Sequence, residues 1–338
     1  VVKLWSSDLA AMRRVYGSAV AALHRPFMAG TCRVKPPQCL GEFAVDFTSP
    51  IGMGACGSVF AGRHLETNCE VAIKTMSRAL LTAEAGGPQV EAGIKNESEV
   101  FERVLLDGGM PHPNVVEVMG FFDGQITEAT EKGLKLCHDE LADESVHYFV
   151  MELLEGGSLQ DHLDQHGAMK EDEAQQLTRS LCEGLASLHE KGIVHRDVKP
   201  GNVLFRKTCG STHGDIDLQG PKLIDFSHAV IVPAEGILTG ESGTRGYVAP
   251  EILADKGYGP KCDVFSLGCV LHAMLTGGRL PKRHARVGMV TRLPSSVSPE
   301  ARSFLDSMIS CDAGLRPSAA DALSEPWLQM LPSLAPTT

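Results

Sequence analysis

The chain has 338 residues, 43% of them apolar, and a formal net charge of -11; that length and apolar content suit two lobes with sizeable cores, and the acidic balance argues against a nucleic-acid surface, which needs a basic patch. No uncharged apolar run is long enough to cross a bilayer as a helix. Its ten cysteines are too sparse for a disulfide scaffold and form none of the close pairs a zinc site requires, so they read as mostly reduced core residues.

In chain order, Leu9, Met12, Tyr16, Ala19, Val20 and Leu23 recur at helical spacing behind the capping candidates Ser6, Ser7 and Asp8, which predicts a helical extension over residues 1–43. The stretch IGMGACGSVF then places Gly52, Gly54 and Gly57 ahead of Val59. Glycines there allow close backbone approach to phosphate oxygens. A dinucleotide-binding unit carries three such glycines and then enters a helix, whereas here the β-branched and apolar residues Val59 and Phe60, then Val71, Ala72 and Ile73 with Lys74, read as strand, hairpin, strand. Cys56, inside the glycine loop, reads as a small residue chosen for fit, with a redox sensor as the alternative. In IKNESEVFERVL, Val100, Phe101 and Val104 make one face of a helix.

Between Asp123 and His147, Glu128, Glu131, Asp139, Glu140, Asp143 and Glu144 form an acidic insertion, predicted to be a solvated loop and a candidate docking site for a partner. The run HYFVMELLEGGSL is a strand ending in glycines. The loop HRDVKPGN, from His195 to Asn202, sets Asp197 five residues before Asn202, and a lone Asp225 follows in LIDFS. One carboxylate aimed at a hydroxyl, with an amide oxygen and a second carboxylate to hold metal, is the division of labour of phosphoryl transfer. Thr244 and Glu251 then stand in SGTRGYVAPE, Asp263 opens DVFSLGCVLHAML, and Arg316 lies in LRPSAADALSEPWL. The stretch GGRLPKRHARVGMVTRLPSS after Thr276 is short and basic.

From Ile51 to Leu328 these motifs, in this order, resemble the serine/threonine branch of the eukaryotic protein kinase family. The resemblance implies an α+β, two-lobed fold: a small antiparallel-sheet lobe with one helix over residues 44–154, carrying the acidic insertion at 123–147, a larger, mostly helical lobe over 155–331, and a tail at 332–338. It implies ATP-dependent transfer of the γ-phosphoryl group to serine or threonine hydroxyls of protein substrates, with Mg²⁺. By resemblance, Ile51, Gly52, Gly54 and Gly57 lie over the nucleotide, Lys74 contacts the α- and β-phosphates, and Glu97 holds Lys74, with Glu99 and Glu102 nearby as alternatives. Met151 would be the gatekeeper, Glu152 to Leu154 would offer backbone groups to an adenine edge, and Val59, Ala72 and Leu204 would sandwich the ring. Asp197 would orient the acceptor and take its proton, Lys199 would offset charge on the γ-phosphate, and Asn202 and Asp225 would hold Mg²⁺. Lys199 and Thr244 flank the acceptor in this branch, Glu251 is expected to pair with Arg316 in folding, and Asp263 to brace the catalytic loop. Arg196 is expected to receive a phosphate at Thr239 or Ser242, with Glu241 partly substituting for it.

Ser227 replaces the family's usual glycine, which tolerates positive φ, so the serine is expected to carry a conformational cost and to restrict switching. That departure, with the acidic insertion, supports the alternative of a pseudokinase scaffold acting by protein interaction. Against it stands the joint retention of Lys74, Asp197, Asn202 and Asp225. The chain opens on Val1 rather than methionine and so reads as a fragment or processed form, leaving its compartment open between cytoplasmic and secreted. The leading helix and altered loops are also similar to those of the rhoptry kinases of apicomplexan parasites, which are secreted.

Overall fold

The computed structural model describes residues 38–54, 57–77, 87–106, 112–123, 127–130, 133–136, 146–207, 220–233, 236–254, 256–284 and 288–329. The predicted leading helix, Cys56 and residues 137–145 of the acidic insertion lie outside them.

Strands β1 (Gln38–Leu40), β2 (Phe43–Gly54), β3 (Gly57–His64) and β4 (Glu70–Ser77) precede helix α1 (Gly87–Leu106), which is followed by β5 (Val118–Asp123), β6 (Thr127–Thr130), β7 (Gly133–Leu136) and β8 (Val146–Glu152). They form one antiparallel sheet in the order β5-β8-β4-β3-β2-β1-β6-β7. The period of two along β4 positions the site. Val71 and Ile73 turn to one face and bury themselves with Leu40, Phe43, Val45, Phe60, Tyr148 and Val150. Ala72 and Lys74 therefore face the other way, opposite Met151 and Val59 respectively in the strand register.

Two expectations about boundaries are corrected here. Residues 38–43, grouped above with the helical extension, belong to the sheet, because Leu40 and Phe43 are core residues that pin the chain against β3 and β8. The insertion is likewise more than a solvated loop: β6 and β7 form a hairpin with Thr130 paired to Gly133, and β6 pairs with β1 through Gln38–Glu128 and Cys39–Thr127. The charge density of this segment concealed an alternating stretch able to complete a backbone ladder.

The second lobe begins at α2 (Leu159–His166), capped by Ser158, and α3 (Glu171–Glu190), whose buried Ala174, Leu177, Thr178, Leu181, Leu185 and Leu188 follow the 3.6-residue period. Short strand pairs β9 (Ile193–Val194) with β12 (Val230–Ile231), and β10 (Val203–Leu204) with β11 (Lys222–Leu223), frame the loops between them. Helix α4 (Pro250–Leu253) leads to α5 (Lys261–Thr276), which is buried on every side from Cys262 to Leu275 and is the central member of the lobe. A hairpin of β13 (Lys282–His284) and β14 (Gly288–Val290) follows, then α6 (Pro299–Met308), α7 (Ala319–Ala322) and α8 (Pro326–Gln329). One apolar cluster crosses between the lobes, joining Val100, Phe101 and Phe149 to Val198, Leu223 and Phe226.

Arg316 and Glu251 form the pair expected of them. The fully buried guanidinium meets both carboxylate oxygens, at 2.5 and 2.6 Å, donates from Nε to Ser310 O at 2.7 Å, and lies 5.0 Å from the Phe265 ring centre. Removing one partner strands a buried charge. Glu251→Ala is expected to cost about 3–5 kcal/mol of stability, and the double change Glu251→Ala with Arg316→Met less than the single one. Urea denaturation midpoints of the two variants measure the difference.

Candidate active site

The loop from His195 to Asn202 is held by one carboxylate beneath it. Asp263, wholly buried at the start of α5, accepts hydrogen bonds from His195 N (2.9 Å) and Arg196 N (2.8 Å) and contacts His189 Nε2 (2.9 Å). Burial pushes its carboxyl up, but the hydrogen bond and charge of His189, with those of His195, outweigh burial and hold it below the usual carboxylate range. The two amide bonds stabilise Arg196 at φ 64°, a left-handed conformation that a non-glycine residue adopts at some cost.

That turn aims Asp197 at the cleft. Its Oδ1 accepts from Thr244 N (2.9 Å) and Thr244 Oγ1 (2.7 Å), while its Oδ2 lies 2.7 Å from Lys199 Nζ and 3.0 Å from Asn202 Nδ2. Lys199 Nζ also donates to Thr244 Oγ1 at 2.8 Å, so the residues expected to flank the acceptor are brought together around the acid. Gly243 makes this possible: at φ 104°, a Cβ there would sit 2.4 Å from Arg196 O. Burial raises the Asp197 carboxyl, yet its bonds to Lys199 and Thr244 bring it below the ordinary value. It is therefore ionised at neutral pH.

Lys74 stands opposite, 2.8 Å from Glu97 Oε1 and 2.9 Å from Asp225 Oδ1. Burial alone would discharge the lysine, but the two carboxylates hold its ammonium well above the usual lysine value; Lys74 in turn holds Asp225 below the carboxylate range against burial. The choice among three glutamates is decided by the helix face. Glu97 is 1% exposed beside Val100 and Phe101, whereas Glu99 is exposed and pairs with Lys95 at 3.7 Å, and Glu102 is exposed. Phe226 locks the neighbouring aspartate in place, its ring 5.9 Å from Phe101 and 5.5 Å from His195.

Two further expectations are corrected. Ser227 lies in the short 3-10 turn Phe226–His228, and the left-handed residue is Asp225, at φ 65°; the cost assigned to the serine is not incurred in this arrangement. Its amide is 3.4 Å from Asp225 Oδ1, and its buried hydroxyl has no partner among the described residues. Arg196 does not meet Glu241. The guanidinium donates to His228 O (2.6 Å) and Tyr258 OH (3.1 Å), Glu241 is exposed without an ion pair among the described residues, and Ser242 Oγ lies 3.0 Å from His228 Nδ1.

The remaining predicted residues lie on β2, β3, β4 and β8 and at Leu154 and Leu204. Gly57 sits at φ 141° with no room for a Cβ, which would fall 1.8 Å from Thr75 O, and Gly52 lies across from Val59 in the same hairpin, Gly54 across from Gly57. Ile51 is 55% exposed at its rim. Ala72, Met151 and Glu152 follow one another across β4 and β8, and Leu204 bridges to Ser158 below. Motif reading missed what holds Glu152: its carboxylate accepts from Glu117 N (2.8 Å) and meets buried Lys222 Nζ and Arg206 Nη2, both at 2.6 Å. Its own amide donates to Glu117 O at 3.0 Å. The only signal was a lysine inside the apolar strand of PKLIDF.

As for metal, Asn202 spends its amide hydrogens on Asp197 O (2.8 Å) and Oδ2, so its side-chain oxygen accepts no bond among the described residues. That oxygen and the Asp225 carboxylate are hard donors of the kind that bind a divalent ion together with substrate phosphates rather than in an all-protein cage. The residues present fit such an ion.

The sequence matches the protein kinase domain over residues 45–328. The chain belongs to the protein kinase family. It is similar to sperm motility kinase 2B of Mus musculus, 30% identical over 287 residues covering 82% of this chain and 50% of that protein. The serine/threonine-protein kinase RAD53 of Saccharomyces cerevisiae is 28% identical over 307 residues, 83% of this chain and 32% of its own length. Myosin light chain kinase A of Dictyostelium discoideum is 27% identical over 299 residues, 85% and 89%. The chain thus spans about half of the first of these and a third of the second. Membership implies use of ATP with a divalent metal and action on proteins, and no helix among the described residues is long and apolar enough to cross a membrane.

The clamp on the catalytic loop carries a pH signature. Because Asp263 titrates lower in the fold than in the unfolded chain, its contribution is complete above about pH 4, the unfolded aspartate value, and is lost as pH falls through the folded value. Asp263→Asn should lower stability at neutral pH and flatten the decline of stability under acid, read from urea midpoints taken at neutral pH and below about pH 4.

Proposed function

We propose that the chain is an active serine/threonine protein kinase that uses Mg²⁺-ATP. The observation that carries the proposal is the simultaneous presence of two assembled charge networks: Lys74 with Glu97 and Asp225, and Asp197 with Lys199, Thr244 and Asn202. The adenine would lie between Val59 and Ala72 on one side and Leu204 on the other, with Met151 as gatekeeper and the backbone of Glu152 to Leu154 offered to its edge. Ile51, Gly52, Gly54 and Gly57 would lie over the nucleotide, and Lys74 would contact the α- and β-phosphates. Asn202 and Asp225 would hold the metal, which supplies charge neutralisation on the phosphate oxygens.

Asp197 is buried, ionised and hydrogen-bonded on both oxygens, so it is preorganised to receive a hydroxyl where Thr244 Oγ1 now reaches it. The acceptor oxygen attacks the γ-phosphorus, its proton passes to an Asp197 oxygen, and the bond to the nucleoside diphosphate breaks. Lys199, 2.7 Å from the acid, offsets negative charge on the transferred group. The RAD53 name states serine/threonine specificity for that protein, and the contact of Lys199 with Thr244 supports the same acceptor here. The pseudokinase alternative leaned on Ser227 and on the acidic insertion; the serine is not among the residues of positive φ, which removes the first of these supports.

Turnover of ATP against a generic protein substrate, beside an Asp197→Ala control, tests the proposal. Lys74→Ala should cut phosphoryl transfer by about 100-fold or more with folding retained by circular dichroism, since one preorganised charge on the phosphates is lost. Phosphoamino-acid analysis should return serine or threonine. Phosphotyrosine as the main product, or turnover equal to that of the Asp197→Ala protein, would overturn it.

A further inference from the structure

The segment after α5 stands apart in a chain of net charge -11. Between Asp263 and Glu300 there is no acidic residue, while Arg279, Lys282, Arg283, Arg286 and Arg292 all fall there. Arg279, Lys282 and Arg292 are exposed and make no ion pair among the described residues. Two carboxylates of the same region are engaged elsewhere: Glu171 accepts from Ser298 N (2.8 Å), Ser298 Oγ (2.6 Å) and Trp327 Nε1 (3.1 Å), and Asp306 is 3.4 Å from Thr291 Oγ1.

Arg279 and Arg292 face a cavity of about 440 Å³ whose walls include Leu275, Thr276, Leu293 and Pro294. Its sides are fixed from behind. Gly277 ends α5 in the left-handed conformation, and His272 Nδ1 and Thr276 Oγ1 both meet Arg279 O, at 2.8 and 3.2 Å. On the opposite side Arg302 donates to Pro294 O and Val297 O. The site is remote from the chemistry: Thr276 lies thirteen residues along α5 from Asp263, about 20 Å at 1.5 Å per residue.

We propose that this cavity docks an acidic segment of a protein substrate, carboxylates pairing with Arg279 and Arg292 while an apolar side chain fills the space against Leu275, Leu293 and Pro294. The proposal rests on the protein kinase reading, because its occupant is the protein that is phosphorylated. Arginine suits carboxylates through its planar, bidentate fork, and Leu275, Leu293 and Pro294 offer apolar surface beside the two cations. No aromatic side chain lines the cavity to stack a base, which favours a peptide over a single-stranded nucleic acid.

Fluorescence anisotropy of a labelled, leucine-centred, glutamate-rich peptide tests docking without any turnover, so it is decided even for a protein that transfers no phosphate. The glutamate peptide should bind the wild type, weaken with added salt, and bind R279E/R292E about 10-fold or more weakly; its glutamine counterpart should not bind. Arg279→Gln with Arg292→Gln serves if charge reversal prevents folding. With an acceptor peptide joined to the glutamate segment, KM should rise about 10-fold in R279E/R292E at unchanged kcat, while the acceptor peptide alone is used equally by both proteins. Equal binding of the glutamate peptide to wild type and variants would overturn the proposal. So would displacement of that peptide by single-stranded RNA at lower concentration, or a dimer of this chain that R279E/R292E dissolves.

Discussion

The ammonium of Lys74 is the charge on which the site depends. It is nearly buried and lies within 2.9 Å of two carboxylates that come from different places, Glu97 on α1 and Asp225 on the loop after β11. A buried cation is tolerated only if it is paired. Satisfying it therefore requires the helix to stand against the sheet and the second lobe to close beneath both, and sheet, helix and loop are aligned by a single electrostatic need. The apolar packing agrees, since Phe101 on α1 touches Phe149 of β8 and Phe226 beside Asp225.

Across the cleft the same logic runs through Asp263. Its carboxylate satisfies two amides of the catalytic loop and a histidine, and thereby sustains the left-handed Arg196 that turns Asp197 toward Thr244 and Lys199. Because α5 is buried on every side, this carboxylate is carried by the most constrained element of the lobe. Glu152 repeats the pattern at the strand end, held by Lys222, Arg206 and the Glu117 amide. Lys74, Asp263 and Glu152 are each fixed by partners distant in sequence, which fixes the geometry in advance.

Charge is also divided over the molecule. The acidic insertion pairs its β6–β7 hairpin to the sheet edge of the small lobe, whereas the cations of residues 279–292 lie at the far end of α5. In a chain of net charge -11 these cations form a local basic surface, two of them beside a cavity of mixed polar and apolar lining.

The local motifs were sufficient for the fold class and for naming the residues that meet around Lys74 and Asp197. Gly57, Lys74, Asp197, Asn202 and Asp225 are legible because a strand, a tight turn and a short loop each have a period or a residue type of their own. The apolar faces of α1 and β4 were legible for the same reason. Partner choice was not, because it depends on which side of an element faces which neighbour. Packing selected Glu97 over Glu99 and Glu102, turned Arg196 to His228 O and Tyr258 rather than to Glu241, and left Ser227 in a turn whose left-handed residue is Asp225. Leu40 and Phe43 became core only because β3 and β8 cover them, and Glu152 met Lys222 across 70 residues of chain. The sequence by itself determined which chemical groups are present and in what order; the tertiary structure decided which groups pair, because a buried charge takes the partner that packing brings within hydrogen-bond reach.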